Sequence, residues 1–112
     1  MDNQIHNKNI ESETTIISPI ELSKKIPISE MGKSNILASR KIVNDILVKK
    51  DSRIMVIVGP CSIHDIDAAK EYALKLKTLQ EELKESVYLV MRVYFEKPRT
   101  TVGWKGLISD PD

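Results

Sequence analysis

The 112-residue chain carries 17 Lys and Arg against 16 Asp and Glu, a formal net charge of +1, and is 41% hydrophobic and 29% charged. A balance so close to neutral provides no global field toward nucleic acid or an anionic membrane, and the composition suits a globular chain rather than a disordered or membrane-embedded one. One cysteine and two histidines exclude an internal disulfide framework and cannot complete a structural zinc site, so a reducing compartment is expected.

The opening MDNQIHNKNIESETTIIS is polar, without helical or strand periodicity, and lacks the basic-then-apolar order of a secretory signal. Residues 1–16 are read as an extended or mobile arm. No apolar run approaches the roughly 20 residues of a membrane span, so the cytoplasm is the default location. At Ser18-Pro19-Ile20-Glu21 a serine N-cap, a proline at the first helical position and a glutamate at the third predict a capping box. That short helix should run to about Lys25 and stop before Pro27. Ser29 and EMGKSNILASRKIVNDILVKK predict a longer helix with an apolar stripe of Ile36, Ile42, Val43, Ile46 and Leu47, and Gly32 leaves its start open. Residues 17–52 thus form a helical extension.

From Arg53 the pattern changes again. IMVIV is a continuous aliphatic run without polar alternation, as in a parallel strand buried on both faces. Gly59-Pro60 stops it. Asp65 is the expected N-cap of a helix over IDAAKEYALKLKTLQEELKES, with Ala69, Tyr72, Ala73, Leu76, Leu79 and Leu83 on one face. VYLVMRVYF reads as a second largely buried strand. Strand, helix and strand make a right-handed βαβ unit of the α/β class. Two parallel strands need further strands and covering helices, so the sequence suggests the start of a longer product.

Ligands of α/β folds gather at the carboxyl ends of the parallel strands. Cys61 follows the first strand and MRVYFEKPRTTVGWKG follows the second, so both lie at that end. Cys61 is either an inert packed thiol or a functional one, and as no His or Lys is placed by sequence to activate it, metal ligation is the better functional reading. His64 could be a second ligand, although a histidine at such a junction more commonly bonds backbone. Asp65 is better explained as a cap than as an acid. In the second tract Arg92, Lys97, Arg99 and Lys105 face one acid, Glu96. Arg92 falls within an apolar strand, where burial would demand an anionic partner or a wet cavity. Lys97-Pro98-Arg99-Thr100-Thr101 combines cations and hydroxyls able to grip phosphate, against the plainer reading of a solvated basic loop. Trp104 is read as a packing anchor.

GPCSIHD at 59–65 and MRVYFEKPRTTVGWKGLISDPD at 91–112 resemble the type I 3-deoxy-D-arabino-heptulosonate 7-phosphate (DAHP) synthases of bacteria and yeast. These motifs are long and uncommon, and the resemblance extends from the SPIEL helix to the last residue. It implies a (β/α)8 TIM barrel, of which residues 53–112 would be the start: first strand, first helix, second strand and following loop. It also implies condensation of phosphoenolpyruvate with erythrose 4-phosphate, with release of inorganic phosphate, as the first step of the shikimate pathway to aromatic amino acids. Carried over by position, Cys61 matches a metal ligand, Arg92 and Lys97 match phosphoenolpyruvate-binding residues, and Arg99 and Thr100 match erythrose 4-phosphate-binding residues. Lys97 is the catalytic candidate. The implied cofactor is a divalent metal, Mn, Fe, Co or Zn, held by thiolate, imidazole and carboxylate, with no organic cofactor.

Feedback inhibition by an aromatic amino acid is also implied, and SPIEL with GLISDPD looks more like the tryptophan-sensitive forms. The polar arm would join subunit contacts in a homo-oligomer, and neither nucleic acid nor membrane is an expected partner. The 112 residues alone are expected to be inactive. The rival reading is a noncatalytic truncated module for regulation or assembly that contacts a full-length synthase. A related enzyme joining phosphoenolpyruvate to another sugar phosphate fits the KPRTT match less well.

Overall fold

The computed structural model describes residues 11–96, 103, 104 and 106–109. The chain falls into two compact units, Met1–Leu37 and Ala38–Asp112. In order, the elements are helices α1 (Pro19–Lys25) and α2 (Glu30–Leu47), strand β1 (Ile54–Val58), helix α3 (Ile66–Leu83) and strand β2 (Val87–Met91).

The first helix follows its sequence signals. The Ser18 hydroxyl accepts from the Glu21 amide at 3.3 Å, and the Glu21 carboxylate accepts from the Ser18 amide at 3.2 Å. These reciprocal bonds satisfy donors that a helix start otherwise leaves open, and the Ser18 hydroxyl, donating to the Glu21 carboxylate at 2.8 Å, together with the Ser18 amide holds that carboxyl below its usual range. Residues 11–18 are described without regular structure, and the rest of the expected arm, residues 1–10, lies outside the described residues. Ser29 accepts from the Gly32 amide at 3.0 Å, so α2 starts where its cap residue predicted despite the glycine. Its far end closes with Lys50 N–H on the Asp45 carbonyl (2.8 Å) and Lys49 N–H on that of Ile46 (3.1 Å). Lys49, with φ of 60°, takes the left-handed position that glycine usually fills in this terminating motif.

In the second unit β1 and β2 pair in parallel, in register from Ile54↔Val87 to Val58↔Met91. Asp65 caps α3 by accepting from the Ala68 amide at 2.9 Å. That helix then packs against β2. Of its expected apolar face, Ala69, Tyr72 and Leu76 are half-buried, but Gln80 shares the inward stripe and Ala73, Leu79 and Leu83 are exposed. The Gln80 carboxamide donates to the Val87 carbonyl at 2.9 Å and accepts from the Leu89 amide at 2.6 Å. It thereby supplies the one donor and one acceptor that a single residue of a neighbouring parallel strand would offer this edge of β2.

Two expectations require correction. β1 is not buried on both faces: Ile54 and Ile57 are 67% and 63% exposed, and Ile63 at 7% is the one buried hydrophobic side chain among the described residues. An unbroken aliphatic run marks a strand that can be covered twice, and covering it takes more layers than this unit supplies. The second strand also ends at Met91 rather than running through Phe95. The Arg92 amide makes the last ladder bond, to the Val58 carbonyl at 2.8 Å, after which the Tyr94 carbonyl turns to accept from the Ile63 amide at 2.9 Å. No helix among the described residues is long and apolar enough to cross a membrane.

At the amino end of the strands, Arg53 forks onto Asp51, with Nη2 2.6 Å and Nε 3.1 Å from Oδ2, and lies 5.4 Å from the Tyr88 ring centre. Its Nη1 donates to the Lys84 carbonyl at 3.3 Å, tying the start of β1 to the end of α3. The guanidinium and amide of Arg53 lower the Asp51 pKa from 3.8 to about 2. A depressed carboxylate pKa contributes stability that is complete above the unfolded value and fades as pH falls through the folded one. In the full-length protein carrying this chain, Asp51→Asn should therefore be less stable than wild type near pH 6, and the gap should close between pH 3.8 and about 2. Denaturant midpoints across that range measure it, and a gap independent of pH would remove the ion pair from the explanation.

Candidate active site

The parallel ladder carries β1 and β2 out on the same side, and the segments that leave them are stitched together. Beyond the Arg92 amide bond to Val58, the Arg92 side chain folds back across the chain leaving β1. Its Nη2 donates to the Gly59 carbonyl at 3.1 Å and its Nε to the Pro60 carbonyl at 3.2 Å. The guanidinium carbon stands 5.7 Å from the centre of the Tyr94 ring, within cation–π range. Cys61, the next residue after this clamp, is exposed, and so are Arg92 and His64. A thiol and a guanidinium therefore sit at the carboxyl end of the sheet, where α/β folds collect ligands.

The structure corrects the expected place of Arg92 within an apolar strand. It stands just past the strand, not within it, and within these residues it is exposed, with its guanidinium on two backbone carbonyls. Among the described residues only Nε and Nη2 of the guanidinium make hydrogen bonds, and a guanidinium has five N–H donors.

Gly59 permits the close approach. Its φ is +153°, and a Cβ there would lie 2.5 Å from the Arg92 carbonyl oxygen and 3.0 Å from the Arg92 amide nitrogen. Both atoms are backbone and cannot move aside as a side chain could.

A further residue organises the far end of the second loop. Glu96 forms an isolated antiparallel bridge with Gly106, and the Leu107 amide donates to the Phe95 carbonyl at 2.8 Å. The Glu96 carboxylate then accepts from the amides of Ile108 and Ser109 at 2.8 and 2.7 Å. The sequence showed Glu96 only as the lone acid in a basic tract. Its isolation among cations was the available signal, but it pointed to charge compensation rather than to capture of amides ten or more residues ahead. Trp104 is half-buried, in keeping with a packing role.

Among the described residues no group of three or more His, Cys, Asp or Glu is placed to hold a metal. Cys61 supplies one exposed sulfur donor at the ligand-collecting end, which suits a site completed elsewhere by borderline-soft ligands. Asp65 is taken up by the α3 cap. Lys97, Arg99, Thr100, Thr101 and Lys105 lie outside the described residues.

Residues 18–112 match the profile of the DAHP synthetase I family. Among curated proteins, the chain is 50% identical over 107 residues to the Tyr-sensitive phospho-2-dehydro-3-deoxyheptonate aldolase of Escherichia coli, covering 96% of this chain and 30% of that protein. It is 54% identical over 96 residues to the Phe-sensitive enzyme of the same species, covering 86% and 27%. Identity to the Trp-sensitive enzyme of Salmonella typhi is 48% over 98 residues, covering 88% and 28%. Among solved structures, the phospho-2-dehydro-3-deoxyheptonate aldolase of Francisella tularensis superposes with a TM-score of 0.83 at 47% identity, over 92% of this chain and 30% of its own. The chain thus spans about 30% of the length of these relatives.

Replacing Gly59 by alanine tests the stitched turn. The unfavourable backbone region alone should destabilise by about 1–3 kcal/mol, with the carbonyl clash adding to it. Denaturant unfolding of the full-length Gly59→Ala protein should show a lower midpoint at unchanged slope, and a loss below about 0.5 kcal/mol would mean that the two loops are not held this closely.

Proposed function

The chain belongs to the DAHP synthetase I family, and from that premise we propose that the whole protein condenses phosphoenolpyruvate with erythrose 4-phosphate, giving DAHP and inorganic phosphate at the first step of the shikimate pathway. β1, α3 and β2 are then the first β-α-β unit of a (β/α)8 barrel, whose catalytic face lies at the carboxyl ends of its strands. The observation that carries the reading is the juxtaposition at that end: the Arg92 guanidinium clamped to the Gly59 and Pro60 carbonyls, immediately beside the exposed Cys61.

Phosphoenolpyruvate is a small polyanion, so its site needs fixed cations. Arg92 offers a planar fork to a carboxylate or phosphate, and Lys97 adds a point charge as the proposed catalytic residue. Arg99 and Thr100, later in the sequence, take the phosphate of the second substrate. Cys61 is one ligand of a divalent metal, Mn, Fe, Co or Zn, whose other ligands would come from the rest of the enzyme. When bound, such a metal supplies Lewis-acid polarisation of a carbonyl.

Feedback inhibition by an aromatic amino acid is part of the proposal, since the relatives above are named for sensitivity to tyrosine, phenylalanine or tryptophan. Tryptophan was favoured by the SPIEL and GLISDPD segments, and identities of 50%, 54% and 48% do not add weight to it. A cytoplasmic homo-oligomer completes the reading. Ile16, Ile20 and Ile26, 85%, 70% and 69% exposed around α1, offer apolar surface for subunit contacts.

Formation of DAHP by the purified full-length protein tests the activity, and Cys61→Ser tests the metal assignment. A hydroxyl is a much poorer ligand than a thiolate for these metals, so this variant should lose metal affinity and most turnover. Wild-type metal content and rate would return Cys61 to inert packing. The substrate roles separate by steady-state kinetics. Arg99→Ala should raise KM for erythrose 4-phosphate more than for phosphoenolpyruvate, and Arg92→Ala should do the reverse, each by about ten- to a hundredfold for a charge-assisted contact of roughly 1.5–3 kcal/mol. Equal weakening toward both substrates would reduce the tract to an undifferentiated basic patch.

A further inference from the structure

The Arg92 side chain spends two of its donors on the protein itself, at the Gly59 and Pro60 carbonyls, and those peptides lead directly into Cys61. Those bonds orient the guanidinium for an anion, and by the same contacts they hold the two peptides that it grips. The same pair of segments is fixed by the Arg92 amide on Val58, by the Ile63 amide on Tyr94 and by the close backbone approach at Gly59. Cys61 therefore lies between two anchored points, and on its β1 side the anchor is the guanidinium.

Building on the metal role proposed for Cys61, we infer that Arg92 is also a positioning residue for that thiol, holding the Gly59–Pro60 peptides so that the sulfur is presented in one place before any substrate arrives. The free part of its fork then binds anionic substrate, so a single side chain links the substrate site to the metal site. Outer partners that orient a metal ligand typically contribute about 10- to 100-fold in affinity.

The sign of the effect distinguishes positioning from charge. Arg92 is a cation, and deleting a nearby positive charge should by electrostatics alone tighten the binding of a divalent cation. Positioning requires the opposite.

The test uses the full-length protein, stripped of metal by chelation and titrated with Co²⁺ in the absence of substrate. Affinity and the thiolate-to-cobalt charge-transfer absorption are both read. Wild type should bind with that absorption, and Cys61→Ser should lose it. Arg92→Ala should bind Co²⁺ about 10- to 100-fold more weakly with a diminished band. Arg92→Gln, which lacks the charge but can still donate to one carbonyl, should fall between Arg92→Ala and wild type, and it stands in for the alanine variant if that one does not fold. If the Arg92 variants bind Co²⁺ as tightly as wild type, or more tightly, while Cys61→Ser loses it, the positioning role is overturned and the metal assignment survives. If Cys61→Ser keeps both affinity and band, the metal assignment itself fails.

Discussion

The hydrogen bond from the Arg92 amide to the Val58 carbonyl is the constraint on which the functional end of this molecule depends. It is the last rung of the parallel ladder, and it decides where two strands become two loops. Parallel pairing in register makes both strands finish at the same level, so the residues that follow them are neighbours although more than thirty positions separate Gly59 from Arg92. Once that rung is set, the guanidinium reaches the carbonyls beyond β1 and the Ile63 amide reaches Tyr94. Glycine at 59 is then a requirement of close backbone contact, since any Cβ would strike the Arg92 carbonyl.

The two ends of the sheet are built for different purposes. At the amino end, Asp51, Arg53, Tyr88 and the Lys84 carbonyl satisfy one another, with the carboxylate receiving both Arg53 side-chain and backbone donors. In this arrangement the charges of Asp51 and Arg53 offset each other. At the carboxyl end, the hydrogen bonds that the Arg92 guanidinium makes among the described residues go to backbone carbonyls, which are neutral. An oriented cation whose described partners carry no charge can still attract an anion, in a way that the amino-end pair cannot.

Side-chain amides and carboxylates take over backbone bonding where the sheet stops. Gln80 occupies part of the edge of β2 with one donor and one acceptor, matching the pair that one residue of a further strand would provide. Glu96 does the equivalent for the amides of Ile108 and Ser109, and so ties residues that follow the basic tract back to the residue that precedes it. Gln80 is a polar residue on the inward stripe of α3, and Glu96 is the lone acid of a basic tract. Their importance comes from unpaired backbone groups, which any folded arrangement has to satisfy.

Local physics made much of this protein legible in the sequence. The capping box at Ser18, the cap at Asp65, the stop at Gly59-Pro60 and the βα order all rest on contacts within four residues or on periodicity, and each emerged as expected. The long motifs around Cys61 and Arg92 likewise carried the family before any fold was seen. Tertiary structure alone decided the rest. Burial of β1 depends on layers that its aliphatic run cannot specify. The end of β2 at Met91 depends on where its partner strand stops, and an apolar Val93-Tyr94-Phe95 gives no sign of that. The partners of Arg92, Gln80 and Glu96 follow from register and loop closure, where geometry between distant segments, rather than residue type, chooses which backbone groups need a side chain.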